Sequence, residues 1–154
     1  MKYTFLLLAV VALIVACNKD KFTTEPQITI KKISPSDVFR GDILKIEGEF
    51  TDDEGDIDSA FIVYKYYSQT GAVTRLFDTI KNYTITSVNL PEKTRQGTLI
   101  ISFDYGQDVS DNPEIPGTPV SIRDTLVTFG VLLKDKAGHR SNYSESEKIW
   151  FKKQ

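Results

Sequence analysis

A chain of 154 residues is long enough for one ordinary domain and short for two, and 40% hydrophobic with 26% charged residues is the balance of a folded globular protein. The formal charge is −2, with basic and acidic residues mixed along the chain, so no basic stripe marks a nucleic-acid partner. One cysteine and one histidine exclude an internal disulfide and a Cys/His zinc site.

The chain opens on Met1-Lys2 and an apolar run, FLLLAVVALIVA (5–16), followed at once by Asn18-Lys19-Asp20-Lys21. A bilayer-spanning helix needs about 20 apolar residues, and this run is shorter. A positive start, a short apolar run and a small residue at its end have the form of a secretory signal peptide, here residues 1–16. Ile14-Val15-Ala16-Cys17 resembles the lipobox of bacterial lipoproteins. That resemblance implies a diacylglyceryl group on the Cys17 sulfur, a mature chain beginning at Cys17, and an additional acyl chain on its new amino group. Each buried methylene contributes about 0.8 kcal/mol, so two or three chains hold a protein on a membrane where one does so only marginally. Residues 17–26 are then the lipidated cysteine and a polar tether. CNKDK (17–21) partly resembles the lysine-plus-acid signal that sends Bacteroidetes-type lipoproteins to the outer face of the outer membrane. The resemblance implies a cell-surface location. The usual second acid is missing, because Lys21 follows Asp20, which leaves a periplasm-facing anchor as the alternative.

Past the tether, short alternating runs are separated by turn residues. QITIKKI (27–33) ends at Ser34-Pro35. ILKIEGEF (43–50) puts Leu44, Ile46 and Phe50 on one face and Lys45, Glu47 and Glu49 on the other. SAFIVYKYY (59–67) closes at Gln69-Thr70-Gly71, with TRLFDTI (74–80) as its hairpin partner. YTITSV (83–88) and TLIISFDY (98–105) read as further strands, and 106–120, with three prolines, as a long irregular loop. DTLVTFGVLLKD (124–135) alternates cleanly, with Val127, Phe129, Val131 and Leu133 on one face. In EKIWFKK (147–153), Ile149 and Phe151 point inward and Trp150 outward. About eight strands, no helical period and no repeat predict an all-β fold. The expectation is a single immunoglobulin-like antiparallel β-sandwich over 27–154, with an open barrel as the structural rival.

Two polar segments stand out: FTDDEGDID (50–58) and KDKAGHRSN (134–142). Together they resemble small lipoproteins of Bacteroidetes type, which pair a D-x-x-G-D-I segment after an early strand with D-x-A-G-x-x-S-N before the last one. His139 stands where those proteins often carry asparagine. The resemblance implies a fold and a location, not an activity. Independently of it, these segments would be the B–C and F–G loops of an immunoglobulin-type sandwich, which share one end. Asp52, Glu54, Asp56 and Asp58 alternate along the first, and Asp135 approaches from the second. Converging carboxylates need a cation or lysines, and calcium, which takes 6–8 oxygens, is the ion such a set suits. The loop is not an EF-hand, because Ile57 falls where the turn glycine belongs and Val63 where the closing glutamate belongs. The competing reading is that these residues cap turns and face water. Gly55 and Gly138 are read as positions needing positive φ.

Chemistry for catalysis is thin. His139, beside Ser141, is the one histidine a triad could use, with nothing to form an oxyanion hole. No enzyme activity and no required cofactor are expected. Tyr66, Tyr67 and Trp150 are candidates for stacking on sugar rings, against the reading that strand aromatics belong to the core. DSA (58–60), DTI (78–80) and DTL (124–126) resemble the short acceptor motif of Bacteroidetes O-glycosylation. The expected function is a non-catalytic, lipid-anchored binding or structural module of the outer membrane, whose partners are the membrane itself and another envelope protein or a glycan. The alternative is a glycan-binding accessory lipoprotein of a nutrient-uptake system.

Overall fold

A computed structural model describes residues 23–77, 82–84, 90–106, 117–118 and 121–153. The expected leader, Cys17 and most of the expected tether therefore lie outside the described residues, as do 78–80 and 85–88 of two expected strands, the DTI motif at 78–80, and most of the expected 106–120 loop. Among the described residues there is no helix.

The strands form two sheets. The first contains β1 (Gln27–Ser34), β3 (Ile43–Thr51), β7 (Gln96–Tyr105) and β8 (Gly117–Thr118), in that order. The second runs β2 (Asp37–Val38), β11 (Ile149–Phe151), β9 (Thr125–Asp135), β4 (Ile57–Tyr67) and β5 (Val73–Phe77). β10 (Ser144–Glu145) adds to β9, and β6 (Asn82–Thr84) to β4. Pairing is antiparallel except for β11 with β2 and β7 with β8, which are parallel. With the first strand divided between the sheets at a cis Ser34-Pro35 bond, the order is that of an immunoglobulin-like sandwich.

Among the described residues there are eleven strands against the eight expected, and the additions are the two-residue β2, β8 and β10. β5 and β6 both pair antiparallel with β4, the first at Tyr64–Tyr67 and the second at Ser59–Phe61, so together they line one edge. β10 and β11 both pair with β9, and their registers differ by one residue. At the join Ser146 keeps the ladder satisfied: its N–H donates to Phe129 O (2.7 Å), and its Oγ accepts from Phe129 N (3.0 Å). β2, β8 and β10 were not foreseen, β8 lying within the expected 106–120 loop, because a two-residue strand shows no period.

Alternation delivers the core as expected. Leu44, Ile46 and Phe50 of β3 face Val127, Phe129, Val131 and Leu133 of β9, all buried in one cluster with Ile149 and Phe151. Without a disulfide, an aromatic seam joins the sheets. Phe103 of β7 meets Phe129 at 5.5 Å between ring centroids, and Tyr105 meets Phe151 at 4.3 Å. Such pairs add about 0.5–1.5 kcal/mol beyond their buried area. The fully buried Tyr105 hydroxyl donates to Lys152 O and accepts from Ser121 N, so its polar end is not stranded.

Candidate functional site

One end of the sandwich collects the two polar segments. β3 stops at Thr51, and Asp52 turns the chain: its N–H donates to Arg95 O (2.8 Å), and its Oδ2 accepts Asp56 N–H (2.8 Å). Gly55 closes this turn at φ +67, where a Cβ would lie 2.5 Å from the backbone carbon of Lys93. Only glycine meets both demands. Asp53 pairs with Arg95, tying the same loop to the segment before β7. That segment carried no signal in the sequence.

From the other side, β9 ends at Asp135, which is in register with Ile57 of β4. Asp135 accepts the His139 N–H on Oδ1 and the His139 imidazole on Oδ2, both at 2.8 Å. Gly138 takes φ +95, as the sequence reading required of it and of Gly55. Lys136 N–H donates to Asp56 O (3.2 Å), so the two loops touch.

The result is a knot of acids. Asp52, Glu54, Asp56 and Asp135 each present an oxygen within 4.8 Å of the others. Asp52 is 0% exposed and Asp135 1%, while Glu54 is exposed. Burial pushes the Asp52 carboxyl above its ordinary value, and the charges of Asp56 and Asp135 add to this, against hydrogen bonds from the Asp56 and Gly55 backbone. The hydrogen bond to Asp135 holds the His139 imidazole above its ordinary value. An all-oxygen donor set of this kind fits a hard cation. Asp58 does not join it. It is the extra residue of a bulge between Ile57 and Ser59, so the expected alternation from Asp52 to Asp58 breaks where β4 begins.

The remaining residues of the second segment have structural work. Ser141 Oγ accepts Leu133 N–H (2.7 Å) and donates to Asn142 O (2.7 Å), and is not aligned on His139. Asn142 accepts Ile28 N–H (2.8 Å) and donates to Ile28 O (2.9 Å). Ser144 Oγ accepts Ile30 N–H (2.9 Å). These side chains cover the free edge of β1, which would otherwise be open to another strand.

The aromatic candidates separate. Tyr66 is 7% exposed, with its ring 6.0 Å from that of Phe151, so it is a core residue and not a surface for sugars. The period of β4 explains this correction: Ile62, Tyr64 and Tyr66 alternate inward, and Tyr67 turns outward. Tyr67 and Trp150 lie on the outer face of the second sheet, one on each side of Leu126 in the same cross-strand row. A lysine amine stands over each ring, Lys148 at 4.4 Å from the Tyr67 centroid and Lys152 at 5.1 Å from that of Trp150.

Beside them is a polar knot that the sequence reading missed. Glu145 accepts from Lys65 (2.6 Å), Thr128 (2.5 Å), Tyr67 (3.2 Å) and Tyr143 (3.3 Å). Burial pushes this carboxyl up, but the hydrogen bonds from Lys65, Thr128 and Tyr67 outweigh it and hold Glu145 below its ordinary value. The first sheet carries a groove of about 520 Å³ whose lining is half polar and half apolar, with Gln27, Glu49, Phe50, Gln96 and Thr98 among its residues.

No family model and no curated protein matches this chain. Among solved structures, it is similar to the sporulation control protein Spo0M from Bacillus subtilis, at 12% identity and TM-score 0.42, over 86% of this chain and 51% of that one. It is also similar to the alkylpurine DNA glycosylase AlkC from Pseudomonas fluorescens bound to DNA containing an abasic site analog, at 14% identity and TM-score 0.39, over 80% and 30%. A third is a Niemann-Pick type C2 protein from Japanese carpenter ant, at 11% identity and TM-score 0.36, over 86% and 92%. The chain thus spans about half of the first of these and under a third of the second.

Proposed function

We propose that this protein is a non-catalytic, lipid-anchored β-sandwich of the bacterial outer membrane, a binding or structural module held at the cell surface by acyl chains on Cys17. The observation that carries this is the placement of the single cysteine directly after Ala16, at the end of the apolar run and before a polar spacer. Residues 18–26 reach at most about 30 Å fully extended, and β1 follows at Gln27. A domain so tied stays beside the lipid. Gln27 pairs with Thr51, so the tether enters at the end that holds Asp52 and Asp135.

Mass spectrometry of the Cys17 peptide from isolated envelopes tests the anchor. The expected species carries a diacylglyceryl thioether and an acylated amine, and Cys17→Ser moves the protein to the soluble fraction. An unmodified thiol on protein that washes from envelopes overturns the proposal.

A second reading, glycan binding, is favoured by one observation: Tyr67 and Trp150 share a face and a row. A glycan array with the full chain in detergent, and with Trp150→Ala as control, tests it. Binding lost in the variant supports this reading, and silence across the array removes it.

A further inference from the structure

We propose that the tether end of the sandwich binds a calcium ion through Asp52, Glu54, Asp56 and Asp135. A cluster of acids alone would not carry this, since exposed acids repel one another into water at little cost. Here two members are removed from water: Asp52 is 0% exposed and Asp135 1%. The second observation is an unmet valence inside the cluster. Asp52 Oδ1 is buried with no hydrogen-bond partner among the described residues, and Asp56 Oδ1 is in the same state. Asp52 Oδ2, by contrast, accepts the Asp56 N–H, so one oxygen of this buried carboxylate is satisfied and the other is not. Buried polar atoms in folded proteins nearly always have a partner, and two orphans in one cluster point to a missing ligand.

Size and chemistry select the ligand. Calcium holds its oxygens at about 2.3–2.6 Å, so two oxygens on opposite sides of one ion lie about 4.6–5.2 Å apart. The four carboxylate oxygens lie within 4.8 Å of one another, inside that span. Zinc favours tetrahedral sets rich in cysteine and histidine, whereas all four members of this cluster are carboxylates. Magnesium keeps several waters and uses one or two carboxylates, where this site supplies four. From the rim, the His139 imidazole reaches the Asp135 carboxylate, and the Lys136 backbone N–H reaches the Asp56 backbone carbonyl. Neither reaches Asp52 Oδ1. An ion here would clamp the β3–β4 loop to the end of β9, next to the point where the tether joins β1. The inference is independent of the lipid anchor and of any glycan.

The test uses the full chain in detergent micelles with calcium chloride as the only added ligand. Titration calorimetry and thermal melting are followed for the wild type and two variants. The expected result is one equivalent bound and a melting temperature that rises with calcium and returns in excess chelator. Magnesium at the same concentration gives a smaller rise. Glu54→Gln, at an exposed position, is expected to fold and to weaken calcium affinity at least tenfold, with a smaller calcium-dependent rise in melting temperature. Asp52→Asn is expected to abolish binding. If that variant does not fold, Glu54→Gln still decides. No heat and no thermal shift at millimolar calcium overturn the proposal, and so does a shift of equal size in wild type and Glu54→Gln.

Discussion

The side chain of Asn142 takes the place of a neighbouring strand for Ile28: its oxygen accepts the Ile28 N–H at 2.8 Å and its amide nitrogen donates to the Ile28 carbonyl at 2.9 Å. One residue from the connection between β9 and β10 thus satisfies both backbone groups on the open edge of β1. Ile28 is 1% exposed, so neither group has ready access to water. Leaving a buried donor or acceptor unpaired costs about 1–3 kcal/mol. Asn142→Ala is therefore expected to lose that much stability or somewhat more, measured by chemical denaturation. A variant as stable as wild type would show that water replaces the amide there.

The aromatic seam should matter far more than the exposed aromatics. Phe129 is fully buried and touches the rings of Phe103, Tyr64 and Phe151. Phe129→Ala is expected to cost about 3–5 kcal/mol. Trp150 is 38% exposed, and Trp150→Ala should fall within about 1 kcal/mol of wild type in the same denaturant series.

Gly55 and Gly138 both hold positive φ, but only Gly55 faces a wall. A Cβ at Gly55 meets Lys93 backbone at 2.5 Å, and one at Gly138 meets nothing within 4 Å. Gly138→Ala should cost about 1–3 kcal/mol from backbone strain alone. Gly55→Ala should cost more, because the 90–95 segment must also move. Comparing the two melting temperatures checks the difference, and equal losses would contradict it.

Glu145 makes stability depend on acid. Its folded carboxyl titrates below the ordinary value, so the folded state binds that proton less readily than the unfolded chain. The stability it contributes is present above the unfolded value of about 4.3 and is lost as pH falls through the depressed folded value. Other acids titrate in the same range, so the readout is the gap between wild type and Glu145→Gln. That gap should be widest near neutrality and narrow below about pH 4. A gap independent of pH would mean that the carboxylate charge is not what Lys65 and Tyr67 stabilise.

Most strands were legible because a period of two is a local property. Leu44, Ile46 and Phe50, and Val127 through Leu133, each declare one side without reference to any neighbour. Elements without a period stayed hidden. β2, β8 and β10 are two residues long, and pairing alone makes them strands. The candidate site was half legible. The two acidic segments could be seen, and immunoglobulin-like connectivity brings them to one end. The exclusion of Asp58 could not be seen, because it follows from a bulge in the pairing of β4 with β9. The network around Glu145 left no trace either, since its partners come from β4, β9 and the segment before β10.

By itself, the order of residues determined which way each side chain faces along its own strand, where the turns fall, and that Gly55 and Gly138 need backbone freedom other residues lack. These are matters of alternation and local sterics. The tertiary structure alone decided which carboxylates meet, that Tyr66 is enclosed while Tyr67 and Trp150 share an open face, and that Asn142 serves Ile28. Those contacts join residues as far as 114 positions apart, and no local preference encodes a distance that only the closing of two sheets can set.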